Sequence, residues 1–252
     1  MKTTLVTGGG RGIGRAIAIA LAGAGARVAI ASRTVSELDE TARAIRTAGS
    51  EAIVLPMDVT DEAAVAARLA ELRRRTDGID VLVNNAGIGG GLPLHLTDTA
   101  SWRRVLDTNV FGTFLVSRHA APALRAGGRV INMSSVLGRF GVAGYTAYCA
   151  SKHAIIGFTR ALALELADRG ITVNAVCPGW VDTNMAAEGM RAGAAAVGVT
   201  FEQFRTQALG AVPIKRIIQP EEVAALVKFL VSAEASAITG QTYNICGGQT
   251  MD

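Results

Sequence analysis

The sequence predicts an α/β protein, a single doubly wound domain over residues 1–252 built on a seven-stranded parallel sheet. Three observations carry this reading. Short, continuously apolar runs alternate with amphipathic stretches from Thr3 onward, the pattern of strands buried on both faces. A helix after each strand supplies the crossover that a parallel sheet needs. Half of the residues are apolar and 18% are charged, with no compositional break or linker, so one large core forms and disorder is excluded.

The elements follow in order. Thr3–Thr7 is the first strand, and residues 12–24 place Ile13, Ile17, Ala20 and Leu21 on one helix side. A strand over 27–31 precedes Thr34-Val35-Ser36-Glu37, whose capping-box spacing opens a helix to about Ala48. Ala52–Pro56, a helix over 61–76 and a strand over 81–84 repeat the unit. A helix near 109–124, a strand over 129–133, a long helix over 146–167 and a strand over 172–177 come next. Pro220, followed by two glutamates, opens a helix to about Val231, and Thr242–Ile245 is the last strand. Residues 181–213, rich in Ala, Gly and Met, read as a mobile, partly helical lid, because so long a weakly patterned stretch is usually functional.

Several classes drop out. The longest uncharged runs, 81–97 and 235–251, are interrupted by Asn, Gly, Pro or Gln, which argues against a membrane span. The strand beginning at Thr3 leaves no room for a signal peptide, and the three cysteines, Cys149, Cys177 and Cys246, read as reduced thiols of a cytoplasmic protein. The net charge of +4 lacks the clustered basic face that nucleic acid requires; Arg73-Arg74-Arg75 complements a helix end instead. His95, His119 and His153 show no ligand spacing with Cys, Asp or Glu, so no catalytic metal is expected.

Ligands of α/β sheets sit beyond the carboxyl ends of the strands. The first such crossing is Thr7-Gly8-Gly9-Gly10-Arg11-Gly12-Ile13-Gly14, where glycines let backbone N–H groups approach a pyrophosphate at a helix N-terminus. The spacing Gly8, Gly12, Gly14 departs from the generic G-x-G-x-x-G, and such a turn can also be plain close packing. The second strand ends at Ser32-Arg33, with no acid before Glu37. An acid there would hold a ribose 2′-hydroxyl, whereas Arg33, with Arg11, suits a 2′-phosphate and favours NADP(H) over NAD(H). The alternative is that both arginines are merely solvated.

Tyr148-Cys149-Ala150-Ser151-Lys152 opens the long helix, and i, i+4 spacing puts phenol and ammonium on one face. A nearby cation is expected to pull the phenol's pKa down toward the working range. Tyr145 has Cys149 at its +4 position and lacks that cation. Ser135, just past the strand over 129–133, is placed to bond a substrate oxygen, and Ser134 is a rival that spacing alone does not eliminate.

With these residues in place the chain resembles the short-chain dehydrogenase/reductase family, in its single-domain Rossmann-fold branch, over essentially its whole length. Thr7-Gly8-x-x-x-Gly12-Ile13-Gly14 resembles the family's cofactor turn, and Asn84-Asn85-Ala86-Gly87 the motif closing the fourth strand. Asp58-Val59 resembles the pair at the adenine, and Pro178-Gly179-Trp180-Val181-Asp182-Thr183 the nicotinamide loop. Asn109, Ser135, Tyr148 and Lys152 fall on the family's tetrad, whose Ser–Tyr spacing selects Ser135. The resemblance implies hydride transfer between nicotinamide and a carbonyl carbon, with Tyr148 as general acid or base. It further implies Lys152 on the nicotinamide ribose, Ser135 on the carbonyl, and Asn109 holding a relay water at a helix distortion. It also implies a homotetramer, with long helices paired at one interface and the C-terminal end buried in another.

The second half resembles polyketide and 3-oxoacyl ketoreductases through 171–179, Val212-Pro213-Ile214, Gly89-Gly90-Gly91 and 244–248. The expected pocket is Gly90, Leu92, Val136, Leu137, Tyr145, Trp180, Met185 and Met190, apolar and without a cationic clamp, suited to a hydrophobic ketone. The alternative is that Trp180 and the two methionines simply pack the lid. An NAD-dependent secondary-alcohol dehydrogenase and a non-catalytic dinucleotide sensor are the competing functions; the complete tetrad speaks against the sensor.

Overall fold

The structure, a computed structural model, describes residues 1–251. Seven parallel strands run β1 (Thr3–Thr7), β2 (Arg27–Ser32), β3 (Ala52–Pro56), β4 (Ile79–Asn84), β5 (Leu124–Met133), β6 (Thr172–Pro178) and β7 (Thr242–Ile245). Their order across the sheet is β3-β2-β1-β4-β5-β6-β7. The chain winds outward from β1 to β3, then returns to β4 and winds the other way. That reversal opens a crevice at the carboxyl ends of β1 and β4, where neighbouring connections leave in opposite directions.

Each sheet face carries its own core. On one, α1 (Gly12–Ala22), α2 (Val35–Thr47) and α9 (Pro220–Leu230) set Ile17, Leu38 and Val227 against Val6, Ile30 and Val83. On the other, α3 (Glu62–Arg75), α5 (Gly112–Ala120) and α6 (Thr146–Glu165) pack Leu69, Leu115 and Ala163 onto Leu5, Leu82 and Val130. A polar seam crosses the second layer. Asn84 Nδ2 donates to Ser117 Oγ (2.9 Å) and Asn132 Oδ1 (2.8 Å), and Asn132 Nδ2 donates to Thr159 Oγ1 (2.9 Å). These buried amides tie β4 and β5 to both covering helices, because any slip would strand a polar group without a partner.

The structure corrects several boundaries. The helix expected from 109 is preceded by α4 (Thr99–Leu106), which Asp98 caps by accepting from Ser101 N at 2.8 Å. A π-helical turn, Asp107–Phe111, joins α4 to α5, and its wider ring turns Asn109 inward. The fifth strand begins at Leu124, five residues before the apolar run, with a register shift between Ile79 and Val81. The capping box expected at Thr34 does not form: Thr34 makes no side-chain cap bond, and Glu37 turns toward Arg11 instead. The expected lid holds two helices, α7 (Asn184–Val197) and α8 (Phe201–Gly210). They meet where the Phe204 ring fills the space a Cβ on Gly193 would need, 2.4 Å away. Among the described residues no helix is long and apolar enough to cross a membrane.

The turn into α1 is equally tight. A Cβ on Gly14 would lie 2.2 Å from the Gly8 carbonyl oxygen and 2.5 Å from Asn85 Nδ2, so backbone itself would have to move. Gly14→Ala is therefore expected to cost about 1–3 kcal/mol by overpacking, read as a lowered urea midpoint at unchanged slope.

Candidate active site

A cleft opens at the switch point, floored by the glycine turn and walled by the segments that follow β2, β3 and β4 and by the start of α7. Thr7 and Asn85 hold its two sides together. Thr7 Oγ1 accepts from Asn85 N and Ala86 N at 3.0 Å each, while Asn85 Nδ2 donates to Thr7 O (3.0 Å) and Gly8 O (3.2 Å). Gly8 and Gly12 take φ of +63° and +53°, which favours glycine and leaves bare backbone at the head of α1. A Cβ on Gly12 would point across the cleft to within 3.3 Å of Thr183.

Gly8, Arg11, Gly12, Ile13, Ser32, Arg33, Asp58, Val59, Asn85, Ala86, Gly87 and Thr183 all line this cleft. Gly14 does not, being packed against the Gly8 carbonyl beneath it. Pro178 and Val181 are buried at the end of β6, and Gly179 packs against Cys246 and Gln249. At the rim, Arg33 pairs with Asp58 at 3.6 Å and Arg11 with Glu37 at 3.4 Å. Burial alone would raise the Asp58 carboxyl, but hydrogen bonds from Thr60 and the Arg33 charge outweigh it and hold the group below its ordinary range. Glu37, Thr108 and Asn184 also line the cleft; Thr108 and Asn184 carry no motif signal in the sequence, and Glu37 reads there only as part of a helix cap.

Beside the cleft, the segment after β5 and the first turns of α6 bring three of the expected tetrad together. Ser135 hydrogen-bonds the Tyr148 side chain, and Lys152 Nζ lies 5.5 Å from the centre of the Tyr148 ring. Ser134 points elsewhere, donating to Lys152 O at 2.8 Å next to the Cys177 thiol, so the two serines are separated by geometry. Asn109, 1% exposed, spends its amide on structure. Its Oδ1 accepts from Ile88 N (2.8 Å), and its Nδ2 donates to Ile88 O and Ser151 Oγ (3.0 Å each). Ser151 in turn donates to Tyr148 O at 2.8 Å, a bridge that the sequence reading missed.

The protonation balance differs from the sequence expectation. Part of Tyr148 reaches the surface, yet loss of water around the phenol pushes it up to about 12; the Ser135 hydrogen bond offsets only some of that. Lys152 does not pull it down. Its Nζ donates to Met133 O at 2.9 Å, and burial lowers the ammonium to about 8. His153, the next residue on the helix, faces away and bonds Cys149 O at 2.9 Å.

Of the expected substrate residues, Tyr145 and Met185 pack on the Gly89–Gly91 loop, whereas Trp180 packs on α7. The Tyr145 ring lies against Gly91, Met185 against Gly89, and Trp180 near Gly189. Leu92 is exposed and Leu137 half-buried, and Gly90 has open space around it. Val136 and Met190 are 2% and 1% exposed and offer almost no surface to a ligand. Among the described residues no three His, Cys, Asp or Glu side chains group to hold a metal ion.

A doubly wound sheet with a glycine-floored cleft at its switch point is the architecture of dinucleotide-linked oxidoreductases. A family profile described as enoyl-(acyl carrier protein) reductase matches residues 8–250. A Streptomyces virginiae protein named as a monensin polyketide synthase ketoacyl reductase is 44% identical, across 98% of this chain and 96% of its own length. The 3-oxoacyl-[acyl-carrier-protein] reductase of Aquifex aeolicus is 38% identical over 98% and 96% of the two chains. A variant of the actinorhodin polyketide ketoreductase crystallised with NADPH superposes with a TM-score of 0.95 at 41% identity, covering 98% of this chain and 97% of that one. The chain belongs to the short-chain dehydrogenase/reductase family.

The buried ammonium has a cost that can be measured. The folded chain carries Lys152 charged below about pH 8, whereas an unfolded lysine holds its proton to its ordinary value of 10.5. The penalty is thus complete below pH 8 and disappears as pH rises to 10.5. Lys152→Met is expected to gain about 2 kcal/mol at pH 7 after the lost Met133 bond is discounted, with the gain shrinking across that window in denaturant titrations.

Proposed function

We propose that the chain is an NADP(H)-linked carbonyl reductase acting on a hydrophobic ketone of polyketide, 3-oxoacyl, aryl or cyclic type. The observation that carries this is the Ser135–Tyr148–Lys152 cluster at the edge of the glycine-floored cleft. The bare backbone at Gly8 and Gly12 would hold the pyrophosphate, Arg33 and Arg11 the ribose phosphate, and Asp58-Val59 the adenine. When bound, the nicotinamide supplies the hydride to the carbonyl carbon.

Ser135 hydrogen-bonds the carbonyl oxygen and orients it toward Tyr148. Tyr148, kept as a neutral phenol by its burial, donates its proton to that oxygen as negative charge develops there. Lys152 remains an ammonium at neutral pH and stabilises the phenolate left behind, and it would also hold the nicotinamide ribose. Asn109 positions both by fixing Ile88 beside the cleft and Ser151 beneath Tyr148. Tyr145, Trp180 and Met185 form an apolar wall that excludes water from the transfer. The names of the relatives support a ketone on a polyketide or acyl chain. The same reading takes the enzyme as a homotetramer, for which the exposed Phe111, Phe114 and Leu164 supply apolar interface.

NADPH oxidation over aryl ketones, cyclic ketones, 3-oxo esters and 3-oxoacyl thioesters tests the reading. Turnover on at least one class is expected, with kcat falling by about 100-fold or more in Tyr148→Phe through loss of the general acid. No turnover by the native protein on any class, with NADPH bound tightly, would favour the sensor. The pH profiles follow from the same groups. Ketone reduction holds steady below pH 8 and declines as Lys152 deprotonates, while alcohol oxidation, which needs the phenolate, climbs with pH. Arg33→Asp is expected to weaken NADPH relative to NADH.

A further inference from the structure

The cofactor rim contains a carboxylate that its sequence position hides. Glu37 lies in the first turn of α2, where a box with Thr34 would have bound it to the helix end. That box is absent, and the side chain instead lines the cleft with Ser32, Arg33 and Thr34, 3.4 Å from Arg11. Gly10 makes the space for it. A Cβ on Gly10 would stand 3.0 Å from Glu37 Cβ, 3.4 Å from Glu37 Oε2 and 3.2 Å from Ser32 Oγ. Thr41 Oγ1, one turn further along α2, donates to Gly10 O at 3.0 Å and fixes the helix against the glycine turn. The bare glycine thus leaves room for the Glu37 side chain at the rim, and the threonine bond keeps its helix against the turn.

We propose that Glu37 is a cofactor-selecting residue that opposes the 2′-phosphate and keeps the cleft open to the unphosphorylated dinucleotide. This rests on the dinucleotide reading of the cleft given above. Two effects act together. Glu37 occupies Arg11, one of the two rim cations, and the other, Arg33, already faces Asp58. Its own charge repels a phosphate dianion, whereas a ribose diol can donate hydrogen bonds to it. The Arg11 side chain is 65% exposed, so the ion pair is weak and yields to a competing anion. The cleft consequently accepts both NADPH and NADH, with a preference well below what two free arginines would produce.

The test measures binding, without turnover. Dissociation constants for NADPH, NADH, 2′,5′-ADP and 5′-AMP are determined by calorimetry on the full native chain and on Glu37→Gln. Removing one negative charge facing the phosphate is expected to raise the NADPH/NADH and 2′,5′-ADP/5′-AMP affinity ratios by about tenfold in low salt. The increase should shrink at high ionic strength, as a change of packing alone would not. Ratios within twofold of native in low salt, with an unchanged melting temperature, would overturn the assignment of Glu37. Failure of the native chain to bind either dinucleotide would instead overturn the reading of the cleft.

Discussion

Much of this molecule is organised by the approach of two backbone segments at the carboxyl ends of β1 and β4. The Asn85 amide donates to Thr7 O and Gly8 O, and Thr7 Oγ1 accepts two backbone N–H groups in return. Gly14 then packs onto the Gly8 carbonyl with no room for another atom. Close contact of this kind closes the base of the crevice and aims the head of α1 into it. It also explains why a polar side chain is held beside apolar strands: every donor and acceptor named here has a partner, so burial costs little. The cleft and its rim follow from this junction.

Around Tyr148 the balance runs the other way, because burial there moves two ionisable groups from their ordinary ranges. Burial raises the phenol to about 12 and lowers the Lys152 ammonium to about 8, so each group is moved against its charged form. Burying the ammonium weakens the fold at neutral pH, whereas the phenol is uncharged in both states there and its shift costs nothing; perturbed groups of this sort cluster where reactions occur. Their positions are held by ordinary structural bonds. Met133 O fixes the ammonium, Ser134 caps the Lys152 carbonyl, and Ser151 links Tyr148 to Asn109. The π-turn that brings Asn109 inward joins this scaffold to Ile88 at the cleft.

What could be read in advance depended on the range of the interactions involved. The strands, the glycine turn and the Tyr148–Lys152 spacing are local patterns; seven strands form in the expected places, except that β4 and β5 begin two and five residues earlier. Thr34 and Glu37 carry a local pattern too, yet the capping box loses to Arg11, a partner 26 residues away. The start of α4 was missed although Asp98 is a good N-cap, because the helix is only eight residues long and buries a single side chain, Val105. Lys152 was expected to lower the Tyr148 pKa on spacing alone, but the balance was decided by desolvation, which depends on every element packed around the pair.

The sequence by itself determined the alternation of strands and helices, the glycine turn at the first crossing, and the residue types able to carry a proton transfer. These are properties of periodicity and residue chemistry, legible wherever neighbours in the chain are neighbours in space. Only the tertiary structure separated Ser135 from Ser134 by geometry, committed the Asn109 amide to Ile88 and Ser151, and brought Glu37 to the rim beside Arg11. Each of those outcomes turns on which of several chemically equal partners lies within about 3 Å, the reach of a hydrogen bond. That distance is set by the packing of the whole sheet and its helices, and no local stretch of chain contains it.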